Sequence, residues 1–360
     1  MSVTGTLAAN ESRQVFRLGT RLCSVRDVID AAFFRGEGQK AWEKLLRGLA
    51  CETHAADQGL EVDQDAIDAA AQAFRYEFDL ITAEETERWL ADRGLTLTDF
   101  ADYFARHRWA EPIGETAEPQ QLAYSSAPPE MRELFIAELM LSGEFRRMAN
   151  ELSWRLAQAS EEKTEPVPEA MERQLEELLE RLAITRADLP HWVRELGRDD
   201  AWLREMLRLE AGYRAQREGL VTPQARQREL GSLRLQLTVF DLETMELDSR
   251  DAACEALFCV RNDGMSMEEV ATQGRYPYRR EQTLLEDIAP DSQQQFLSVS
   301  PGELLEPIES DGAFRLCRVL GKSDPDPNDP DVQQRIEQRI ADRYFADLVG
   351  KHVHWDIALN

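Results

Sequence analysis

The 360-residue chain is short of cysteine, of histidine and of positive charge, and each shortage removes a class of function. Its five cysteines, Cys23, Cys51, Cys254, Cys259 and Cys317, form no CxxC pair, and an odd number cannot close a complete disulfide framework. The pattern argues against a zinc ribbon and a complete disulfide framework, and the thiols are expected to be buried and free. No Gly-rich phosphate loop, Ser-His-Asp ordering or HExxH motif occurs, so neither a cofactor nor a metal is expected. The pair His352 and His354 has a strand-like spacing that can hold a metal, but no third ligand accompanies it, and packing beside Trp355 is the preferred reading. No window approaches the roughly 18 consecutive apolar residues of a membrane span, and the opening MSVTGTLAANESRQ lacks the basic start and apolar core of a secretory signal. A cytoplasmic protein without membrane insertion is expected. With 42 Lys and Arg against 68 Asp and Glu, the net charge is −26, and such a field repels phosphate backbones. Nucleic acid is not an expected partner. The acidity serves solubility first, and it also draws neutral or basic peptides.

What is present is mostly helical periodicity. Residues 15–34 read as strand, turn at Gly19, strand and helix, with Ser24 and Asp27 spaced as a capping box. Apolar residues at helical spacing continue from Gln39 to Trp109, with further start signals at Thr82 and Glu85 and at Thr96 and Asp99. A Pro- and Ser-bearing linker spans 111–130, then long amphipathic runs cover Met131–Gln158 and Pro168–Leu182. At an offset of about 89 positions LADRGLTLTDFADYF overlies LERLAITRADLPHWV, which suggests two related helical modules. After Gly231 the period drops to 2, with Leu233, Leu235, Leu237 and Val239 on one face of an expected strand. Two helices, a turn over GRYPYRREQT, a third short helix and a closing strand AFRLCRVLG follow, the pattern of a small α+β domain with an antiparallel sheet. Asp329 or Asp331 caps a last helix before HVHWDIAL, which alternates like a strand and is expected to meet VFRLGTRLC in space. Four domains are expected: 1–115 and 116–230 as helical modules, 231–323 as the α+β domain, and 324–360 as a helix and strand packing back on the first module.

Three stretches of the α+β region, LRLQLTVF, DGMSMEEVA and SPGELLEPIESDGAFRLCRV, together resemble a parvulin-type peptidyl-prolyl isomerase domain. The segments VFRLGTRLCSVRDVIDA and AADQGLEVDQDAIDAAAQAFRYEFDL resemble the entry of SurA-like chaperones, and TAEETERWLADRGLTLTDFADYF is similar to a cytosolic branch associated with peptide maturation and type I export. The resemblance implies a SurA-like helical chaperone body plus a degenerate parvulin-like lobe, in a mainly α chain with a small C-terminal α+β domain. It further implies a client, an unstructured precursor peptide, and possible service to a peptide-modifying enzyme or exporter.

The departures define the chemistry. Active parvulins carry a His on the first strand and another on the last; on this resemblance those positions fall on Leu237 and Arg315. Turning an X-Pro amide crosses a barrier of roughly 18–20 kcal/mol, so a lobe without its histidines is expected to bind rather than catalyse. The resemblance sets Ile288 and Ser292 beside the proline-ring pocket, and Leu237, Val239 and Arg315 on the strands. Tyr276, Tyr278 and Arg279, in the basic and aromatic cluster RYPYRR, are candidate client contacts. An active isomerase with rearranged residues and a scaffold for a modifying enzyme remain the alternatives.

Overall fold

The structure, a computed structural model, describes residues 9–61, 63–109, 113, 117–161, 165–310 and 313–357. The expected module boundary at 115/116 lies outside the described residues, as do two turn residues, 311 and 312, of the last hairpin. The fold is mainly helical with antiparallel sheets, and it divides into a helical unit, residues 1–218 with 343–360, and a lobe, residues 219–342.

In the helical unit, β1 (Gln14–Leu18) and β2 (Arg21–Ser24) form a hairpin at Gly19, where φ is +59° and a Cβ would be strained. The other edge of β1 pairs with β7 (Val353–Trp355), and Phe16 meets Trp355 at 5.1 Å between ring centroids, so the two terminal segments meet as expected. Ser24 and Asp27 close a full capping box on α1 (Val25–Arg35), after which α2 spans Glu37–Asp57. Then come α3 (Gln64–Glu77), α4 (Ala83–Arg93) and α5 (Leu97–Arg108), the last two started by the boxes read at Thr82 and Thr96. The long run expected over Met131–Gln158 is two helices, α6 (Pro129–Leu141) and α7 (Glu144–Glu161). Gly143, at φ +74°, makes the break; its neighbours keep helical spacing, which hid the turn. Next are α8 (Pro168–Leu182), α9 (Leu189–Glu195) and α10 (Asp200–Leu220).

The offset of 89 positions has a geometric counterpart. Gly94 and Leu95 donate to the carbonyls of Ala91 and Leu90, and Ala183 and Ile184 donate to those of Glu180 and Leu179, in the same left-handed helix stop. Thr96 and Thr185 then donate through both backbone N–H and hydroxyl to Asp99 and Asp188. One core collects apolar side chains from Val15 through Leu209 and takes in Ile357. Trp42, fully buried, donates its indole N–H to the Leu122 carbonyl at 2.6 Å.

The lobe holds α11 (Pro223–Leu233), β3 (Val239–Leu247), α12 (Arg250–Arg261), α13 (Met267–Gly274), β4 (Tyr278–Leu284), α14 (Pro290–Ser298), β5 (Ile308–Ser310) and β6 (Ala313–Ser323). The last helix, α15 (Pro330–His352), starts here, capped by the Asp329 carboxylate rather than Asp331, and the unit division falls inside it. All pairings are antiparallel, in the order β4-β3-β6-β5.

Two expectations for the lobe need correction. The segment LRLQLTVF is not a strand: α11 runs to Leu233, a turn follows, and β3 begins only at Val239. Leu233 and Leu237 are two residues of an alternating set, but they are also four apart, and Leu237 N–H donates to the Leu233 carbonyl at 2.9 Å in a helical bond. Both pack on Val332 and Ile336, while Leu235, which alternation placed with them, is 60% exposed. Second, the RYPYRR stretch is not a loop, because from Tyr278 it becomes β4, paired with β3 from Met245↔Tyr278 to Val239↔Leu284. An edge strand of polar residues shows no apolar alternation to read.

Smaller corrections concern His352 and Cys254. His352 ends α15 instead of lying on a strand with His354, and its Nε2 lies 2.8 Å from Glu161. Cys254 is exposed and Cys259 half-buried, because α12 turns them off its apolar face. No described helix is long and apolar enough to cross a membrane.

Candidate functional site

One face of the lobe sheet forms the floor of a cleft. On β3, Leu242, Thr244 and Glu246 point to one side, as period 2 requires, and Met245 and Leu247 point to the other, where they meet α12 and α13. Thr244 stands directly across from Cys317 of β6 and from Arg279 of β4. Phe240, Leu242, Cys317 and Val319 pack beneath α14, against Phe296. The opening left between α14 and the strands is a cavity of about 420 Å³, walled by Ile288, Ser292 and Phe296 on one side and by Ile308 on the other. Gln293 anchors the entry to α14 by donating to the Ile288 carbonyl at 2.9 Å.

The floor is dry and the rim is charged. Thr244 is 1% exposed and donates its hydroxyl to Glu281 at 3.3 Å. Burial pushes the Cys317 thiol up to about 12, so it stays protonated at neutral pH. At the rim, Glu246 binds Arg279 at 3.0 Å and faces Arg315 at 3.5 Å, while Arg279 reaches Glu281 at 3.0 Å. Arg315 has its Nε–H buried with no acceptor among the described residues. A buried donor left unpaired costs about 1–3 kcal/mol, while the remainder of the Arg315 side chain stays 37% exposed at the rim. No histidine occurs anywhere between residues 219 and 342. The floor thus offers a hydroxyl and a protonated thiol, neither of which takes or gives a proton readily near neutral pH.

Of the residues singled out in the sequence, Arg279, Ile288, Ser292 and Arg315 line this cavity together. Leu237 and Val239 lie elsewhere, in the cluster with Val332 and Ile336. Tyr276 and Tyr278 pack on the opposite sheet face beside α12 and α13, where the Tyr278 hydroxyl donates to Glu243 at 2.9 Å. Thr244, Glu281, Phe296 and Cys317 were not foreseen. Cys317 is legible in the sequence, since it stands two residues from Arg315 on the segment AFRLCRVLG, which alternates as a strand. Thr244 is not, because alternation over LRLQLTVF places the strand start at Leu233.

No protein-family model matches the chain, and no curated protein does. Among solved structures, it is similar to the peptidylprolyl isomerase PrsA of Bacillus cereus, with 14% identity, a TM-score of 0.38, and coverage of 64% of this chain and 88% of that one. It is also similar to the foldase protein PrsA of Streptococcus pneumoniae, at 10% identity, a TM-score of 0.26 and coverage of 61% and 86%. A SurA-like chaperone structure from Campylobacter jejuni matches at 8% identity and a TM-score of 0.21, covering 60% and 89%. Similarity at this level assigns neither a substrate nor an activity.

Proposed function

We propose that the protein is a chaperone-like peptide-binding protein whose lobe cleft holds an extended segment of a precursor polypeptide without isomerising it. The observation that carries this reading is the pairing of Thr244 with Cys317 on the cleft floor, in a lobe without histidine. A proline ring or another compact apolar side chain enters between Ile288 and Phe296, and the preceding carbonyl accepts from Arg315. The net charge of −26 favours clients with neutral or basic flanks. Five free cysteines, three of them buried, suit a reducing, cytoplasmic setting. Service to a modifying enzyme or an exporter is the natural role for such a holder, and that enzyme or exporter is the partner we expect beside the peptide.

The test is a titration of an unstructured proline-containing peptide into the full chain, run beside a protease-coupled isomerase assay. Saturable binding, weakened about tenfold by Arg315→Ala, with no acceleration of cis-to-trans exchange, is the expected result; tenfold corresponds to about 1.4 kcal/mol. Clear turnover that Arg315→Ala and Ile288→Ala abolish would establish an isomerase with rearranged residues instead. No peptide binding at all, with retention of a peptide-modifying enzyme on the immobilised chain, would replace the holder by a scaffold.

A further inference from the structure

The lobe sheet has two edges, and they are not alike. β5 is three residues long, whereas β4 is seven and pairs with β3 without a bulge. The register fixes which way the main chain of β4 faces. Glu246 N–H donates to the Pro277 carbonyl and Leu285 N–H to the Thr238 carbonyl, so the odd-numbered residues of β4 face the β3 ladder. The main-chain N–H and C=O groups of Tyr278, Arg280 and Gln282 therefore point away from the sheet, and none of them has a hydrogen-bond partner among the described residues. Arg280 and Gln282 are exposed. A row of alternating donors and acceptors is matched along its length only by another extended chain. Two observations say which chain. Full antiparallel overlap of β4 with the β4 of a second copy sets Glu281 opposite Glu281, like charges that destabilise a ladder, and a net charge of −26 also holds copies apart. On the other face of the choice, Arg279, Glu281 and Thr283 border the cleft cavity of about 420 Å³, so a strand laid beside β4 runs next to it. Arg279 pairs with Glu281 at 3.0 Å and Arg280 with Glu243 at 2.7 Å, so these side chains ask for no charge on the added strand.

We infer that the client is held as a fifth strand of the lobe sheet, hydrogen-bonded to β4 through the main-chain groups of Tyr278, Arg280 and Gln282. This rests on the reading of the lobe as a peptide holder and deepens it: the cleft takes one compact side chain, and a neighbouring stretch of the client is gripped by its backbone. That stretch is recognised by its extended conformation and its free N–H groups, so proline is excluded from the paired positions while most side chains are accepted. A holder built this way serves clients of varied sequence.

Calorimetric titration of the full chain with the blocked peptide acetyl-Gly-Val-Thr-Val-Ser-Pro-Gly-amide, with hydrogen exchange of the protein amides followed by NMR, tests it. At saturation the amides of Arg280 and Gln282 are expected to exchange at least about tenfold more slowly, while those of Glu281 and Thr283, already bonded to β3, change little. Gln282→Pro removes an outward N–H and puts the ring in its place, a substitution an edge strand tolerates because the ladder to β3 is untouched. It is expected to weaken binding at least about tenfold with an unchanged circular dichroism spectrum, whereas Gln282→Ala, which loses the same side-chain contact with Asp241, is expected to bind like the parent. Saturation without slowed exchange at Arg280 and Gln282, or a folded Gln282→Pro protein that binds normally, overturns the fifth strand; if Arg315→Ala still weakens that binding, the cleft reading stands without it. Weakening by Gln282→Pro but not by Arg315→Ala supports the strand and removes the client from the cleft. No binding of the peptide overturns both. A dimer of the free chain in sedimentation that Gln282→Pro dissociates would make a second copy the occupant and overturn the client.

Discussion

The helical unit and the lobe treat charge in opposite ways. In the helical unit, Arg155 and Glu210 are both at least nine-tenths buried and meet at 2.5 Å, with Glu151 as a second partner of Arg155 at 2.6 Å. Asp30, 2% exposed, is held by Arg198 at 2.5 Å. In the lobe, the buried carboxylate of Glu243 has partners Arg280 and Arg318, which keep 65% and 23% of their side chains exposed. The first arrangement fixes how α7 and α10 pack, because breaking it strands a charge away from water. In the second, Arg280 stays largely hydrated while Arg318 is mostly buried, so one of the two guanidinium groups is free to return to water.

The largest test of that contrast is removal of the two carboxylates. Glu210→Ala is expected to cost about 3–5 kcal/mol in urea unfolding, because Arg155 is left buried and uncompensated. Glu243→Ala should cost only about 1–2 kcal/mol, since Arg280 rejoins water. Equal costs would break the comparison. The double exchange Arg155→Met with Glu210→Leu is expected to come close to the parent stability, which sharpens the point: the pair specifies packing more than it stabilises. Acid supplies a second arm. Burial raises the Glu210 pKa, but Arg155, by charge and hydrogen bond, with Arg35 and Arg214, overcomes this and brings it down to about 2 from the ordinary 4.5. A carboxylate depressed in the fold contributes fully above pH 4.5 and loses that contribution as pH falls towards 2, so the parent should lose more stability over that window than the double exchange.

Thiol reactivity comes next in size. Under native conditions at pH 8, iodoacetamide should modify the exposed Cys254 at least about tenfold faster than Cys23 or Cys317, whose thiols burial pushes up to about 11 and about 12. Mass spectrometry of the alkylated peptides reads this, and early labelling of Cys317 would show that the lobe sheet opens more readily than the helical core. The smallest effects are the caps. Thr96→Ala in the helical unit and Ser266→Ala in the lobe each remove a full capping box and should each cost about 1 kcal/mol, measurable by urea unfolding. A clear difference between the two would mean that one helix start is supported by its surroundings and the other is not.

The local signals were legible because they are local. Ser24 with Asp27, Thr82 with Glu85, Thr96 with Asp99 and Ser266 with Glu269 each close over three residues, and the structure has all four boxes. The lobe's first and edge strands were not legible. Leu233 and Leu237 fit both periods, and the choice fell to their contact with Val332 and Ile336, about a hundred positions away in the chain. For β4, YRREQTL has only polar residues between Tyr278 and Leu284, and it is a strand because β3 offers it a ladder. The candidate site was half legible for the same reason. Arg279, Ile288, Ser292 and Arg315 were singled out, while Thr244 waited on the register of β3.

The sequence by itself determined where most helices start and stop, which residues are apolar enough to form cores, and that the lobe has no histidine, since each of these depends on residues close in the chain or on composition alone. Only the tertiary structure decided that Thr244 faces Cys317, that β4 forms the sheet edge, and that Phe74 of α3 meets Trp89 of α4 and Phe100 and Phe104 of α5. Such juxtapositions depend on strand register and helix packing between distant segments, and the energy that selects them is shared across many contacts that no short window of residues contains.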